Sequence, residues 1–320
     1  MRVGLCFPSP GYGDWERKVH SALVELVPEL TLLDCSSAGC LHDVAPEVLV
    51  GHESEALCAG LAEPPESLRW VQIMSAGVDR LLDAIGPGPV AFRITNVRGI
   101  HAQAMVEYLL AVLLHFEKRL ALFVDNQREK RWERPVLGQL AGKRLLVCGA
   151  GGIGLPVGIA LAGLGVSVEA IARDTSPRAP FQRVHALSSL PEVIGDFDYV
   201  FCALPLTDAT RGVFGRDAIG AMRDGAVFVN VARGELVDES ALRAALCAGK
   251  LAGAALDAFR EEPLPSVSPL WTTPNLLVTP HVAGRFAAGH QLGLAVLRDN
   301  MAAYLAGAPM RTEVFPQRGY

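Results

Sequence analysis

Two sets of residues in this chain have types and spacings that could do chemistry. The first is Gly149-Ala-Gly-Gly-Ile-Gly154, which follows the apolar run Leu145-Leu-Val-Cys148 directly. A strand that turns into a helix at this point presents no side chain to a phosphate. Gly149 permits the tight turn, Gly151 lets the backbone approach a pyrophosphate, and Gly154 lets the helix pack on its strand. Backbone N–H groups and the positive end of the helix dipole then hold the anion. An ordinary tight strand-to-helix turn is the competing reading in a chain with 32 glycines.

The next strand, Val166–Ala172, ends where a dinucleotide fold that takes NAD carries an acid, about 20 residues past the glycines. Here Ala172 is followed by Arg173. Without the carboxylate a 2′-phosphate meets no repulsion, and a guanidinium can bond it. Such a bond contributes about 1.5–3 kcal/mol, roughly a tenfold to hundredfold preference. NADPH is therefore the preferred cofactor, with NAD as the alternative. Asp174 is the competing ribose ligand, and Arg178 is either a second phosphate contact or surface.

The second set lies downstream. Phe228–Asp238 places Arg233 just past an apolar strand, Leu256–Pro263 places Glu262 before a proline, and Thr279-Pro-His281 places His281 after another strand. All three are strand ends, where open α/β sheets bind ligands. With Leu204-Pro-Leu-Thr207, Thr210, Arg211, the run VNVARG, LDAFREEPLP, SPLW and TPHVAG in order, the chain resembles the D-isomer-specific 2-hydroxyacid dehydrogenases over nearly its whole length.

The resemblance implies roles that suit the side chains present. Arg233 grips the substrate carboxylate and carbonyl oxygen, work for a planar, permanently charged fork. His281 is the general acid in reduction and the base in the reverse direction. Glu262 is its partner, orienting the imidazole and favouring its charged form. The resemblance also implies cofactor contacts at Gly149, Gly151, Gly152, Ile153, Gly154, Arg173, Leu204, Pro205, Thr210, Val231, Ala232, Asp257, His281 and Gly284. Met74–Asp79 resembles the loop whose backbone N–H groups receive the substrate carboxylate, making Ala76, Gly77 and Val78 the candidates beside Arg233. A plain turn capped by Ser75 is the alternative. Asn96 and Glu107 also match family positions and are expected to shape the hinge and the interdomain helix, while Arg80, Arg98, His101 and Arg285 receive no role.

The elements that must position these residues alternate between short apolar runs and helical periodicity, the pattern of parallel α/β sheets, and the pattern occurs twice. The first set has strands near Val3–Phe7, Leu30–Leu33, Glu47–Val50, Trp70–Met74 and Arg93–Asn96, with a helix after Asp14 as N-cap; Pro8 and Pro10 break the first run. The second begins at Leu145 and continues near Val166–Ala172, Tyr199–Ala203, Ala226–Val231, Gly253–Asp257 and Leu276–Thr279. Between them lies a long helical stretch, Gly99 to Leu122, and a polar segment, Asp125–Arg134. The helical stretch after Gly284 is too short for a domain and is expected to return to the first set. The expected fold is two doubly wound parallel-sheet α/β domains. A Rossmann dinucleotide-binding domain, residues 98–284, is inserted into a flavodoxin-like substrate-binding domain, residues 1–97 plus 285–320, leaving a cleft between them.

Composition narrows the class of partner. Half the residues are hydrophobic, a fifth are charged and the net charge is −5, with no Lys/Arg run, which argues against nucleic acid or an anionic membrane surface. The most apolar stretch, Ala104–Leu114, is interrupted by Glu107 and too short to span a bilayer. The seven cysteines contain no CxxC pair and read as reduced thiols in a cytoplasmic protein, Cys148 and Cys202 as buried hydrophobes. No metal is expected; Cys35, Cys40 and His42 are the one grouping to weigh, and their spacing matches no established site.

The reading is an oxidoreductase moving hydride between NADPH or NADH and a small 2-oxo or 2-hydroxy acid, with glyoxylate or hydroxypyruvate reduction as the leading specific activity. Glu262 stands where the formate-oxidising branch has an amide, which argues against formate. A dinucleotide-sensing protein like the family's corepressor branch, with little turnover, is the alternative from another class. A site for another nucleotide, such as an S-adenosyl cofactor, would leave Arg233, Glu262 and His281 unexplained. The resemblance implies a homodimer through the Gly99 helix and its polar extension, in which Trp132 is either an interface anchor or a core residue.

Overall fold

The computed structural model describes residues 1–7, 13–37, 39–86 and 88–318. In chain order the first elements are β1 (Arg2–Cys6), α1 (Gly13–Leu26), β2 (Thr31–Asp34), α2 (Cys40–Val44), β3 (Val48–Gly51), α3 (Glu55–Ala62), β4 (Trp70–Ile73), α4 (Asp79–Ile85) and β5 (Arg93–Thr95). Next come α5 (Ala102–Glu117), α6 (Leu120–Arg128), β6 (Arg144–Cys148), α7 (Gly154–Gly163), β7 (Ser167–Ile171), β8 (Val184–His185), α8 (Leu190–Val193), β9 (Tyr199–Cys202), α9 (Arg216–Ala221), β10 (Val227–Asn230), α10 (Glu239–Cys247), β11 (Gly253–Leu256) and β12 (Leu276–Val278). The helix α11 (Gly289–Leu305) and the short β13 (Glu313–Val314) follow. The chain divides into two compact units, Met1–Ile100 with Phe286–Tyr320, and His101–Arg285.

The first unit carries a six-stranded sheet in the order β13-β5-β4-β3-β1-β2, parallel except where β13 meets β5. Strands β3 and β4 are buried along their whole length, as expected when helices cover both faces of a parallel sheet. The order β2-β1-β3-β4-β5 is the flavodoxin-like doubly wound one, with its switch point between β1 and β3. Helix α11 packs against α1, and a buried polar network ties it to the sheet. Asn300 Nδ2 donates to Gln72 Oε1 at 2.8 Å, and that oxygen also accepts from Thr95 Oγ1, itself the acceptor of the Trp70 indole N–H. Each buried polar atom named here is satisfied, which such a network requires if it is not to destabilise the core.

The second unit carries a seven-stranded, wholly parallel sheet in the order β12-β11-β10-β9-β6-β7-β8, the doubly wound dinucleotide-binding order. Apolar clusters cover its two faces, one around Phe214 and Phe228, the other around Leu109, Val147 and Phe201. Cys148 and Cys202 are fully buried within these clusters.

The structure differs from the sequence expectation in four local features. Helix α1 begins at Gly13, so Asp14 lies in its first turn and cannot be the N-cap, which requires non-helical backbone. The prolines at 8 and 10 lie outside the described residues. The stretch from Gly99 is two helices, broken at Arg119 with φ 50°, and its polar extension is helical as far as Arg128. Strands β8 and β13 have two residues each, too few for a periodicity to register; β13 is held by the Arg93 Nε to Glu313 Oε1 bond at 2.9 Å.

Candidate functional site

The glycine loop is built by close approaches that side chains would block. Gly149 has φ 108°, and a Cβ there would lie 2.5 Å from the Ala203 carbonyl oxygen, so β6 and β9 can meet at their switch point only with glycine. A Cβ on Gly154 would run into the Gly149 carbonyl, whereas one on Gly151 would meet nothing within 4 Å. Two glycines therefore serve the turn and the helix packing, and the third leaves its backbone open. Helix α7 starts here, with Leu155 N–H donating to Gly151 O at 3.0 Å; Gly152 is exposed and Ile153 is half-buried before the first helical residue. This backbone fits a dinucleotide pyrophosphate. Across the switch point Thr210 Oγ1 donates to Pro205 O at 2.7 Å and accepts from Thr207 N–H, fixing the loop that begins at Leu204.

At the end of β7, Arg173 is exposed. Asp174 is committed within its own turn: Oδ1 accepts from Ser176 N–H at 3.0 Å and Ser176 Oγ at 2.6 Å, and Oδ2 pairs with Arg178 at 3.0 Å. The Ser176 hydroxyl and amide, with a smaller contribution from Arg178, hold this carboxyl below its usual range.

Three loops past β10, β11 and β12 converge. His281 Nδ1 lies 2.9 Å from Glu262 Oε2, and Glu262 Oε1 accepts the Phe259 N–H at 2.9 Å, so the carboxylate is fixed at both oxygens. Arg233 sits between β10 and a 3₁₀ turn, where Asn230 Nδ2 donates to its carbonyl at 2.9 Å and Asn230 Oδ1 accepts the Ala232 N–H. Any Cβ on Gly234 would clash with the Phe259–Arg260 backbone, so this glycine sets the Arg233 loop against the one carrying Glu262. Val231 and Ala232, on the same loop, are buried.

Asp257, only 1% exposed, organises the His281 loop. Its Oδ1 accepts from Thr279 Oγ1 at 2.6 Å and Val282 N–H at 2.9 Å, its Oδ2 from Ala283 N–H at 2.9 Å, and its carbonyl from His281 N–H at 2.9 Å. His281 has φ 52°, a left-handed conformation that persists in a non-glycine residue only where surroundings over-determine it. Because the Thr279 hydroxyl donates to Asp257, the Tyr108 hydroxyl 2.7 Å away donates to Thr279, and burial pushes that phenol up to about 12. The sequence reading missed this network. Its members lie far apart in sequence: Thr279 opens the TPHVAG run, but nothing local to it or to Tyr108 shows that the two meet. Gly284 closes the loop, its carbonyl 2.9 Å from His101 Nδ1.

In the first unit, Ala76, Gly77 and Val78 follow β4, with Val78 preceding α4. The carbonyl of each preceding residue is pinned: Ser75 O by Val97 N–H at 3.3 Å, Ala76 O by Asn96 Nδ2 at 2.7 Å, and Gly77 O by Ser75 Oγ at 3.0 Å. In a planar trans peptide the N–H points opposite to the carbonyl. The N–H groups of Ala76, Gly77 and Val78 are thereby turned away from the groups that pin the carbonyls. Ser75 is not a helix cap; α4 has no side-chain cap at Val78. Asn96, expected to shape a hinge, also holds this loop through its bond to the Ala76 carbonyl. Glu107 is exposed and accepts from Gln103, Arg98 donates to Glu313 O, and Arg80 and Arg285 are exposed. Among the described residues no three His, Cys, Asp or Glu are grouped to hold a metal, and no helix is long and apolar enough to cross a membrane.

The family model described as D-isomer specific 2-hydroxyacid dehydrogenase, NAD binding domain, matches residues 110–283. The chain is 30% identical to glyoxylate/hydroxypyruvate reductase B of Klebsiella pneumoniae over 278 residues, covering 85% of each. It is also 30% identical to the human glyoxylate reductase/hydroxypyruvate reductase over 266 residues, 78% of this chain and 77% of that protein. Among solved structures, a D-isomer specific 2-hydroxyacid dehydrogenase from Xanthobacter autotrophicus Py2, in complex with NADPH and MES, superposes with a TM-score of 0.82 at 30% identity, covering 100% of this chain and 99% of that one.

Proposed function

Because the chain belongs to the D-isomer-specific 2-hydroxyacid dehydrogenases, we propose that it is an NADPH-preferring reductase of small 2-oxo acids, with glyoxylate and hydroxypyruvate as its leading substrates. The observation that carries this reading is the His281 Nδ1 to Glu262 Oε2 bond at 2.9 Å, in a loop set beside that of Arg233. When bound, the nicotinamide dinucleotide supplies or accepts the hydride at the substrate's C2. Residues Gly149–Gly154 with the start of α7 would hold its pyrophosphate, and Arg173 would take the 2′-phosphate. The loops at Leu204–Thr210, Val231–Ala232 and Asp257, with His281 and Gly284, would contact the rest of the cofactor.

The chemistry of the side chains follows from their partners. With Nδ1 given to Glu262, Nε2 is the imidazole nitrogen left to exchange a proton. Protonated His281 donates that proton to the carbonyl oxygen as hydride reaches C2, and Glu262 stabilises the imidazolium beforehand. Arg233 binds the substrate carboxylate and polarises the carbonyl, and the N–H groups of Ala76, Gly77 and Val78 receive the carboxylate. The product is a D-2-hydroxy acid. NADPH and NADH oxidation by the purified protein over a panel of 2-oxo acids tests the reading. Turnover of glyoxylate or hydroxypyruvate with higher kcat/KM for NADPH is expected; tight cofactor binding with no turnover on any acid would replace it with a dinucleotide sensor.

The active form is a homodimer in the cytoplasm. Support for the dimer comes from Trp132 and Val136, 91% and 96% exposed on the extended stretch after α6, together with Leu120 and Val124 exposed on α6 itself. A face of this kind seeks a partner. Light scattering after size exclusion should give twice the chain mass, and a monomer would refute it. The cytoplasmic assignment is supported by the scatter of the seven cysteines.

A further inference from the structure

The first unit gathers thiols that the scheme above does not use. Of the seven cysteines, Cys6 and Cys35 are buried in the apolar cluster around Leu49, Val71 and Ile73, and Cys40 and Cys58 pack against it, each partly exposed. The other three lie in the second unit. Cys148 and Cys202 stand opposite each other on β6 and β9 but are sealed in the core, and Cys247 is exposed at the end of α10.

Local structure brings two of the first four together. Cys35 directly follows β2, its N–H donating to Leu5 O at 2.7 Å. Its Sγ lies against Gly4 of β1, where a Cβ would come within 2.7 Å of the sulfur, so the absence of a side chain in that strand gives the thiol its room. Beyond Cys35 the chain turns back on itself. Asp34 Oδ1 accepts the Ser36 N–H at 2.9 Å, Gly39 has φ 83°, and Cys40 N–H donates to Ser37 O at 3.3 Å as α2 begins. Cys40 Sγ is thereby carried to the Asp34 carbonyl, to which it donates at 2.7 Å; that carbonyl belongs to the peptide unit of Cys35. The Cys35 and Cys40 thiols are themselves hydrogen-bonding neighbours.

The two sulfurs differ in the way a redox pair requires. Cys40 is reachable from solvent, whereas Cys35 is buried, and burial followed by the neighbouring Cys40 pushes its thiol up to about 12. An oxidant therefore meets Cys40 first, with a second thiol waiting behind it. Cys6 is turned elsewhere, its Sγ 3.7 Å from Ser54 Oγ.

We propose that Cys35 and Cys40 form a redox-active dithiol, a modification site that a hydroperoxide converts to a disulfide. The Cys40 thiolate attacks the peroxide, forming an S–O bond as the O–O bond breaks and water or an alcohol leaves. The Cys35 sulfur then attacks the sulfenic sulfur of Cys40; the S–S bond forms, the S–O bond breaks, and the hydroxyl leaves with the Cys35 proton as water. Two thiols lose two electrons and two protons, and the peroxide is reduced by two electrons. Such disulfides in a reducing compartment are transient and sense oxidant. The proposal does not depend on the reductase reading.

Hydrogen peroxide on the full-length protein tests it, read by mass spectrometry before and after dithiothreitol. The wild type should lose two hydrogens from the tryptic peptide Val19–Arg69, which contains Cys35, Cys40 and Cys58, and yield no fragment between Cys35 and Cys40 until it is reduced. Cys58→Ser should behave alike. Cys35→Ser should stop at a sulfenic acid on Cys40 that dimedone captures, and Cys40→Ser, altered at a partly exposed position, should form no disulfide. Absence of the Cys35–Cys40 bond in the oxidised wild type, a bond from Cys35 to Cys6 or Cys58 in its place, or the same two-hydrogen loss in Cys40→Ser would overturn the proposal.

Discussion

His281 and Glu262 form a hydrogen-bonded pair, Nδ1 to Oε2 at 2.9 Å, in which the carboxylate is also anchored to the backbone at Phe259. The second anchor matters because it prevents the carboxylate from following the ring, so the ring takes its orientation from the scaffold. His281→Ala should lower kcat by about 10²–10⁴-fold with cofactor affinity intact, the usual contribution of a positioned acid–base group. Glu262→Gln should lower kcat, since the amide no longer offers the His281 Nδ1–H a charged acceptor. Stopped-flow turnover with fluorescence titration of NADPH separates the two effects; near wild-type kcat in His281→Ala would refute the assignment.

Asp257 tests the scaffold itself. Its carboxylate accepts from Thr279, Val282 and Ala283, and each buried donor left without a partner costs about 1–3 kcal/mol. Asp257→Ala should therefore destabilise the protein by at least about 3 kcal/mol in chemical denaturation, and Asp257→Asn by less, because the amide oxygen still accepts. Thr279→Val should lower kcat with little change in cofactor affinity, since it uncouples Tyr108 from Asp257. A fully stable, fully active Asp257→Ala would show that the His281 loop is held by other means.

Cofactor choice turns on Arg173. Arg173→Ala should reduce kcat/KM for NADPH by about tenfold to hundredfold and leave NADH nearly unchanged. Asp174→Ala should affect both cofactors alike and weakly, because that carboxylate serves Ser176 and Arg178 in its own turn. A wild-type preference for NADH would sink the Arg173 reading.

His52 links stability to pH in a definite direction. The unfolded imidazole titrates near 6.5 and the folded one near 4, lowered by burial and then by the charge on His290. Above pH 6.5 neither state binds the proton and this group contributes no slope. As pH falls from 6.5 toward 4 the unfolded state gains the proton first, so stability drops, by up to about 3 kcal/mol, and levels off below 4. Urea denaturation between pH 7 and 4 should show this loss in the wild type and a shallower one in His52→Phe; parallel curves for the two proteins would contradict it.

Much of this protein is legible without coordinates. Eleven short runs with glycine and proline punctuation mark strands that the structure contains, most plainly those such as β3 and β4 that are buried along their whole length and so must be mainly apolar. The glycine trio, Arg233, Glu262 and His281 are legible for the same kind of reason: each chemistry admits few residue types at a strand end. Local sequence did not decide the rest. Two-residue strands such as β13 exist only because a distant partner, here Arg93 with Glu313, holds them in place. Asp14 was placed outside its helix because a cap and a first-turn acid look alike in sequence. Ser75 and Asn96 revealed their work only when the fold set them behind the carbonyls of Gly77 and Ala76. The sequence alone determined which side chains could bind a dinucleotide and move a proton. Tertiary structure decided which side chains pin which backbone groups, because a hydrogen bond between residues far apart in the chain depends on the fold that brings them together.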